Sequence, residues 1–217
     1  MNIGLSLLPF GRKYTAEYIN MAHLLGIKHF EISTESSCYS EDFIANGEIY
    51  SIHAPKNILD ETDLRRLRSE LERLRDFCET VQCHRLVFHP NVNVESSDSV
   101  FSVLSEVMAD YAICIENVNE DLDGLMPLLV KYGFKIVWDI SHALFHEHII
   151  EDKAEMIEHF HVRGFSYRQK YVTLQNSEER ITIPHIKDAV YILEYPYRNM
   201  LELLIDWKNI NQLFQNK

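Results

Sequence analysis

Glycine and cysteine are both scarce in this chain: seven and four residues of 217. Glycine at about 3%, against a usual ~7%, suits short, regular connections rather than long irregular ones. The four cysteines, Cys38, Cys78, Cys83 and Cys114, include no Cys-x-x-Cys pair. So few, so spaced, they read as buried thiols of a reduced, cytoplasmic protein. Basic charge is also short, with 21 Lys and Arg against 33 Asp and Glu and a formal net charge of −12. A protein that grips a duplex is expected to carry a basic face, so nucleic acid is a disfavoured partner. No apolar run approaches the roughly 18 residues of a membrane helix, and no membrane partner is expected. The opening Met-Asn-Ile-Gly-Leu-Ser-Leu-Leu-Pro has no basic n-region and no small-residue cleavage site, so it is not expected to be a secretory signal.

What is present is a regular alternation. Short apolar runs rich in Ile, Val, Phe and Tyr recur at Ile3–Leu8, Lys28–Ile32, Tyr50–His53 and Leu86–His89. Four more follow at Ala112–Glu116, Lys135–Ile140, His159–Val162 and Val190–Glu194. Between them lie amphipathic stretches, Tyr14–Leu25, Asp63–Val81, Ser99–Ala109 and Leu122–Tyr132, with a last one at Leu203–Phe214. Asp63–Val81 sets Leu64, Leu67, Leu71, Leu74 and Phe77 at helical spacing, and its arginines alternate with Glu70, Glu72 and Asp76, as on a solvated outer face. Strands alternating with helices imply parallel βαβ units, and eight of them predict a compact (β/α)₈ TIM barrel spanning 1–217 as one domain. The polar stretch Phe165–Ile183 lacks helical periodicity and is predicted to be a long active-site loop in place of the seventh helix. No stripe on the outer helices marks an oligomer interface.

Barrel enzymes carry their chemistry where the strands end. Seven of the eight run ends here hold a metal-ligand type of residue: Glu31, His53, His89, Glu116, Asp139, His161 and Glu194. With 33 acidic residues and 11 histidines among 217, about one such position in five would do so by chance. Side chains two apart share a face, so Ser51 lies below His53, Val87 below His89, Cys114 below Glu116, Val137 below Asp139 and Ile192 below Glu194. Gathering buried carboxylates without a cation is costly, so the ring implies bound metal. Its mixture of carboxylate and imidazole suits Mn²⁺, Mg²⁺, Zn²⁺, Co²⁺ or Fe²⁺, in one or two ions.

Ile-His-Ala-Pro, Ile-Glu-Asn, Trp-Asp-Ile-Ser-His and Leu-Glu-Tyr-Pro, in this order and spacing, resemble the xylose isomerase-like TIM-barrel superfamily over essentially the whole chain. That superfamily holds sugar-phosphate isomerases and epimerases and the endonuclease IV type of AP endonuclease. The resemblance to its epimerase branch implies one divalent metal on Glu116, Asp139, His161 and Glu194, with Glu116 and Glu194 also acting as catalytic base and acid. The resemblance to endonuclease IV implies a second ion on His53, His89 and the bridging Glu116. His142, three residues after Asp139, would touch a substrate oxygen or orient the Asp. The chain departs from the pattern at Gly164, where an Asp is usual after strand seven, and lacks an Asp-x-His there, leaving His185 as a displaced candidate.

Further substrate-binding candidates are Arg163 with Arg168 and Lys170, placed to meet a phosphate or carboxylate, and Lys56 and Glu31 at the rim. His146, His148 and His159 read as surface bystanders. Trp138, Phe88 and Tyr195 are expected to pack against helices, and Tyr197 to line the mouth. The reading implied is a metal-dependent isomerase or epimerase of a small sugar or sugar phosphate, working through an enediolate, with a dehydratase or lyase close beside it. The alternatives are a metal-dependent phosphoester hydrolase related to endonuclease IV, and a non-catalytic member of the family.

Overall fold

The computed structural model describes residues 2–7, 15–34, 48–90, 94–118, 122–142, 153–168, 172–184, 186, 188–195, 197 and 199–215. Eight parallel strands close on one another in chain order: β1 (Asn2–Ser6), β2 (His29–Ser33), β3 (Glu48–His53), β4 (Arg85–Phe88), β5 (Ala112–Glu116), β6 (Lys135–Asp139), β7 (Ile157–Val162) and β8 (Val190–Leu193). β1 pairs with β8 as well as β2, which completes the barrel. Among the described residues the helices are α1 (Thr15–Leu24), α2 (Leu64–Val81), α3 (Val94–Val107), α4 (Leu122–Tyr132) and α5 (Met200–Gln215).

Strand alternation divides the apolar residues into two populations. Phe30, Ile52, Leu86, Ile115, Trp138 and Phe160 face outward into the main core, together with the buried faces of the helices. Val87, Cys114 and Val137 point the other way and form a small separate cluster inside the barrel, below the rim positions of β4, β5 and β6. Phe88, Trp138 and Tyr195 lie in the outer core as expected. Tyr197 does not line the mouth: it is buried, and its hydroxyl donates to Asp206 Oδ2 at 3.2 Å.

The helices follow their sequence signals. α2 starts at Asp63, whose carboxylate accepts the Arg65 backbone N–H at 2.9 Å, and buries Leu67, Leu71, Leu74, Cys78 and Val81. Leu64 stays exposed and Phe77 half-buried, at the margin of that stripe. α4 stops at Gly133, which takes the left-handed φ of 69° that ends a helix cheaply only with glycine. The described cysteines, Cys78, Cys83 and Cys114, are buried free thiols; Cys38 lies outside the described residues.

Between β7 and β8 the described residues contain no α-helix, only a single 3₁₀ turn at Leu174–Asn176. This segment is fastened rather than loose. Gly164 bridges Val172, the Phe165 carbonyl accepts from Glu178 N–H, and Asp206 of α5 accepts the Leu174 backbone N–H at 3.0 Å. A side chain at Gly164 has no room, because a Cβ there would overlap the backbone carbonyl of Thr173. No helix of the described residues is long and apolar enough to cross a membrane.

Candidate metal centre

The barrel brings its polar strand ends to one mouth. His53, Glu116 and Asp139 end their strands and His161 is the last but one of β7, while His89 and Glu194 follow β4 and β8 directly and Glu31 is the middle residue of β2. All but His89 are buried. Period-two alternation aims them at the barrel axis, and the closed topology brings residues as distant in sequence as Glu31 and Glu194 to one site.

Two clusters share Glu116. On one side its Oε2 lies 3.0 Å from His89 Nε2 and 3.3 Å from His53 Nε2, and the two imidazole nitrogens are 3.1 Å apart. On the other side its Oε1 lies 3.3 Å from His161 Nδ1, which is 3.8 Å from Glu194 Oε2. His53 and His89 with Glu116, and Glu116 with Asp139, His161 and Glu194, each offer ligand atoms within 4.8 Å of one another. The clusters expected for two ions are therefore both assembled.

His53 tests whether a cation fits. Its Nδ1 lies 2.9 Å from the Ala54 carbonyl, so that nitrogen carries a proton and Nε2 is the atom turned to the cluster. Nε2 faces His89 Nε2 and a Glu116 oxygen, so three ligand-type atoms converge on one point. The donor set of two imidazoles and one carboxylate suits a divalent transition ion. In the second cluster Asp139 is differently engaged. Its Oδ1 accepts from the Ser141 N–H at 2.7 Å, the Ser141 hydroxyl at 2.6 Å and the His142 N–H at 3.2 Å. Its Oδ2 accepts from Arg163 Nε and Nη2 at 3.2 and 3.1 Å.

Charge in the cluster is strongly redistributed. Burial alone would raise the Glu116 carboxyl, but His161, His53 and His89 hold it well below its ordinary value. Burial would likewise lower His161, yet Glu31 and Glu116 hold it well above. Glu194 moves the other way, pushed up to about 7 by burial, with Glu116 and Asp139 adding to the rise against His161 and Arg163.

Several candidates sit elsewhere than the sequence places them. Glu31, expected at the substrate, is fully buried beneath His161, with His161 Nε2 at 3.1 Å from Oε1 and the Ser51 hydroxyl donating to Oε2 at 2.8 Å. Arg163, expected to meet a substrate anion in the loop, is buried against Asp139 and lies 3.6 Å from Glu194. Its Nη2 also donates to His142 Nε2 at 3.0 Å, so His142 does stand at the mouth. Lys56 is half-buried in the turn after β3, and Arg168 is exposed in the β7–β8 segment. His185, Lys170, His146 and His148 lie outside the described residues.

His159 is no surface bystander. It is fully buried inside the barrel, one step below His161, with Nε2 3.5 Å from Glu31 Oε2. The signal was available: the alternation that places Ser51 below His53 places His159 below His161. Arg163, two residues beyond His161, continues the same inward face.

No protein-family model and no curated protein sequence matches the chain. Solved structures do match in shape. Endonuclease IV from Thermus thermophilus superposes with a TM-score of 0.75 at 17% identity, covering 100% of both chains. A probable 3-DHS dehydratase involved in petrobactin synthesis in Bacillus anthracis gives 0.72 at 13% identity, over 97% of this chain and 99% of that one. A xylose isomerase-like TIM barrel protein from Mycobacterium smegmatis, solved in complex with magnesium, gives 0.67 at 10% identity, over 98% and 96%. The chain therefore has the eight-stranded barrel fold shared by endonuclease IV and xylose isomerase-like proteins.

Proposed function

We propose that the protein is a metal-dependent enzyme that isomerises or epimerises a small sugar or sugar phosphate by moving the proton α to a carbonyl. One observation carries this reading: Glu116 and Glu194 reach the same barrel mouth from β5 and β8 and flank one nitrogen of His161, at 3.3 and 3.8 Å. The two carboxylates are not equivalent. Glu116 has both oxygens against imidazoles, whereas the cationic groups described nearest Glu194 stand 3.6 and 3.8 Å away. Glu194 is therefore the group placed to take the α proton, and Glu116, across the site, is placed to return one in an epimerisation. His142 at the mouth is placed to orient a substrate oxygen. The fit of His53, His89 and Glu116 to a divalent ion adds what the side chains lack, since a bound cation would act as a Lewis acid that lowers the cost of an enediolate.

The test is turnover of a panel of ketoses and ketose phosphates in D₂O with Mn²⁺, Mg²⁺, Zn²⁺ or Co²⁺, followed by NMR. Deuterium at the α carbon, lost in Glu194→Gln, supports the reading; no exchange across the panel with metal bound ends it. A second reading, a phosphoester hydrolase, is favoured by the complete His53–His89–Glu116 cluster beside the first and opposed by the net charge of −12. Chelator-sensitive cleavage of an abasic-site duplex would put it first.

A further inference from the structure

We propose that Arg163 is a built-in cation for the Glu116–Asp139–His161–Glu194 set. On this view the tightly held metal ion belongs to His53, His89 and Glu116, and a second ion enters only as the guanidinium withdraws. The inference rests on the metal-dependent reading above and decides which of the two clusters is the resident site.

The hydrogen bonds at Asp139 lead to it. A carboxylate offers about four lone-pair positions. Five donors already converge on this one, three on Oδ1 from Ser141 and His142 and two on Oδ2 from the Arg163 fork. Oδ2, the oxygen left over by the Ser141 and His142 donors, is the one the guanidinium holds. Arg163 also lies 3.6 Å from Glu194 Oε2, so a single cation spans two of the four members of the set.

A guanidinium differs from the imidazoles in one decisive respect. An imidazolium yields to a metal by losing its proton, whereas arginine keeps its charge at every working pH and can yield only by moving. Moving is opposed by the Nη2 bond to His142 Nε2 at 3.0 Å and by the burial of the side chain. An ion entering beside it would also meet another positive charge at close range.

The His53–His89–Glu116 cluster has the opposite character. The Ala54 carbonyl fixes the His53 proton on Nδ1, and the two Nε2 atoms and Glu116 Oε2 lie 3.0 to 3.3 Å apart. Its cationic candidates are imidazoles, which can give up a proton to a metal, whereas the other set carries the permanent charge of Arg163. Backbone geometry explains how Arg163 comes to be there. Residues 159, 161 and 163 share the inward face of β7 and its continuation, and Gly164 then lets the chain pass beneath the Thr173 carbonyl.

The test uses the full chain, stripped with chelator and titrated with Zn²⁺ by calorimetry and with Co²⁺ by visible absorbance. The wild type is expected to take one equivalent tightly and a second at least tenfold more weakly. His53→Ala should lose the tight equivalent and Asp139→Asn should keep it. Arg163→Met should tighten the second equivalent tenfold or more without changing the first. Two equivalents of equal affinity in the wild type, or a tight equivalent lost in Asp139→Asn and kept in His53→Ala, would overturn the proposal. So would a second equivalent that ignores the loss of Arg163. Should Arg163→Met fail to fold, the other two variants still decide. A wild type that binds neither ion would instead remove the metal-dependent reading itself.

Discussion

Glu31 and His161 form a buried pair in the barrel axis, with His161 Nε2 3.1 Å from one oxygen of Glu31 and 3.2 Å from the other. The carboxylate sits below the ring and the rim cluster above it, so the two nitrogens of His161 face different partners. Burial works to raise the Glu31 carboxyl, but His161 and His159 beside it hold it well below the ordinary carboxylate range. With Glu31 ionised, Nε2 keeps a proton directed at it, and Nδ1 is the nitrogen that faces Glu116 and Glu194.

Removing that carboxylate is expected to act on both stability and metal affinity. Glu31→Leu leaves His161 without its buried partner, a loss of about 3–5 kcal/mol for a broken buried pair. Glu31→Gln keeps the volume and should cost less, while weakening the second Zn²⁺ equivalent, the one His161 would hold, about 10–100-fold through the loss of orientation. Urea unfolding and Zn²⁺ titration check the two effects. Equal metal affinity in Glu31→Gln and the wild type would show that the carboxylate only fills space.

Asp206 gives the fold a pH dependence of its own. Burial raises its carboxyl from 3.8 to about 6, against the Leu174 and Gln175 N–H groups and the Tyr197 hydroxyl. The folded state thus holds the proton more tightly than the unfolded chain does. Its contribution to stability is present in full below about pH 4 and is lost as pH rises through about 6, with a limiting slope of about 1.4 kcal/mol per pH unit. Asp206→Asn lacks this component, so the difference between variant and wild type should grow in the variant's favour from about pH 4 to about pH 7. Chemical unfolding across that range measures it, and parallel curves would exclude the assignment.

Gly164→Ala isolates the close approach of the β7–β8 segment. The added methyl group meets the Thr173 carbonyl, a backbone atom that cannot rotate aside. A loss of about 1–3 kcal/mol is expected from overpacking of this kind. Because Arg163 is the preceding residue, the variant should also disturb metal stoichiometry. A thermal midpoint indistinguishable from that of the wild type would show that the segment simply relaxes.

How far the sequence discloses this architecture depends on the range of the interaction concerned. The rim residues are legible because alternation is local: Cys114 below Glu116 and Val137 below Asp139 follow from neighbours two apart. α2 and α4 are legible from Asp63 and Gly133, whose capping roles are local as well. The start of α3 at Val94 rather than Ser99 is not, since its first turns are polar and carry no apolar period. Arg163 shows the limit most clearly. Its charge suggested a substrate anion, but its partner is Asp139, 24 residues earlier, and only the closed barrel brings the two together. Gly164 was equally opaque, because the atom that forbids a side chain belongs to Thr173.

Glu116 and Glu194 should separate metal binding from proton transfer. Glu116 is the one residue common to both clusters, and its oxygens divide between the His53–His89 side and the His161 side. Glu116→Gln removes the charge that both clusters share and should weaken binding of the first Zn²⁺ equivalent tenfold or more. Glu194 belongs to the Arg163 side alone, so Glu194→Gln should keep that equivalent while losing about 10²–10⁴-fold in α-proton exchange, the usual yield of a positioned base. Calorimetry and deuterium incorporation on the same preparations distinguish the two. If Glu194→Gln lost metal and exchange together, its carboxylate would be a ligand first, and the base would have to be sought among the remaining groups of the mouth, beginning with His142.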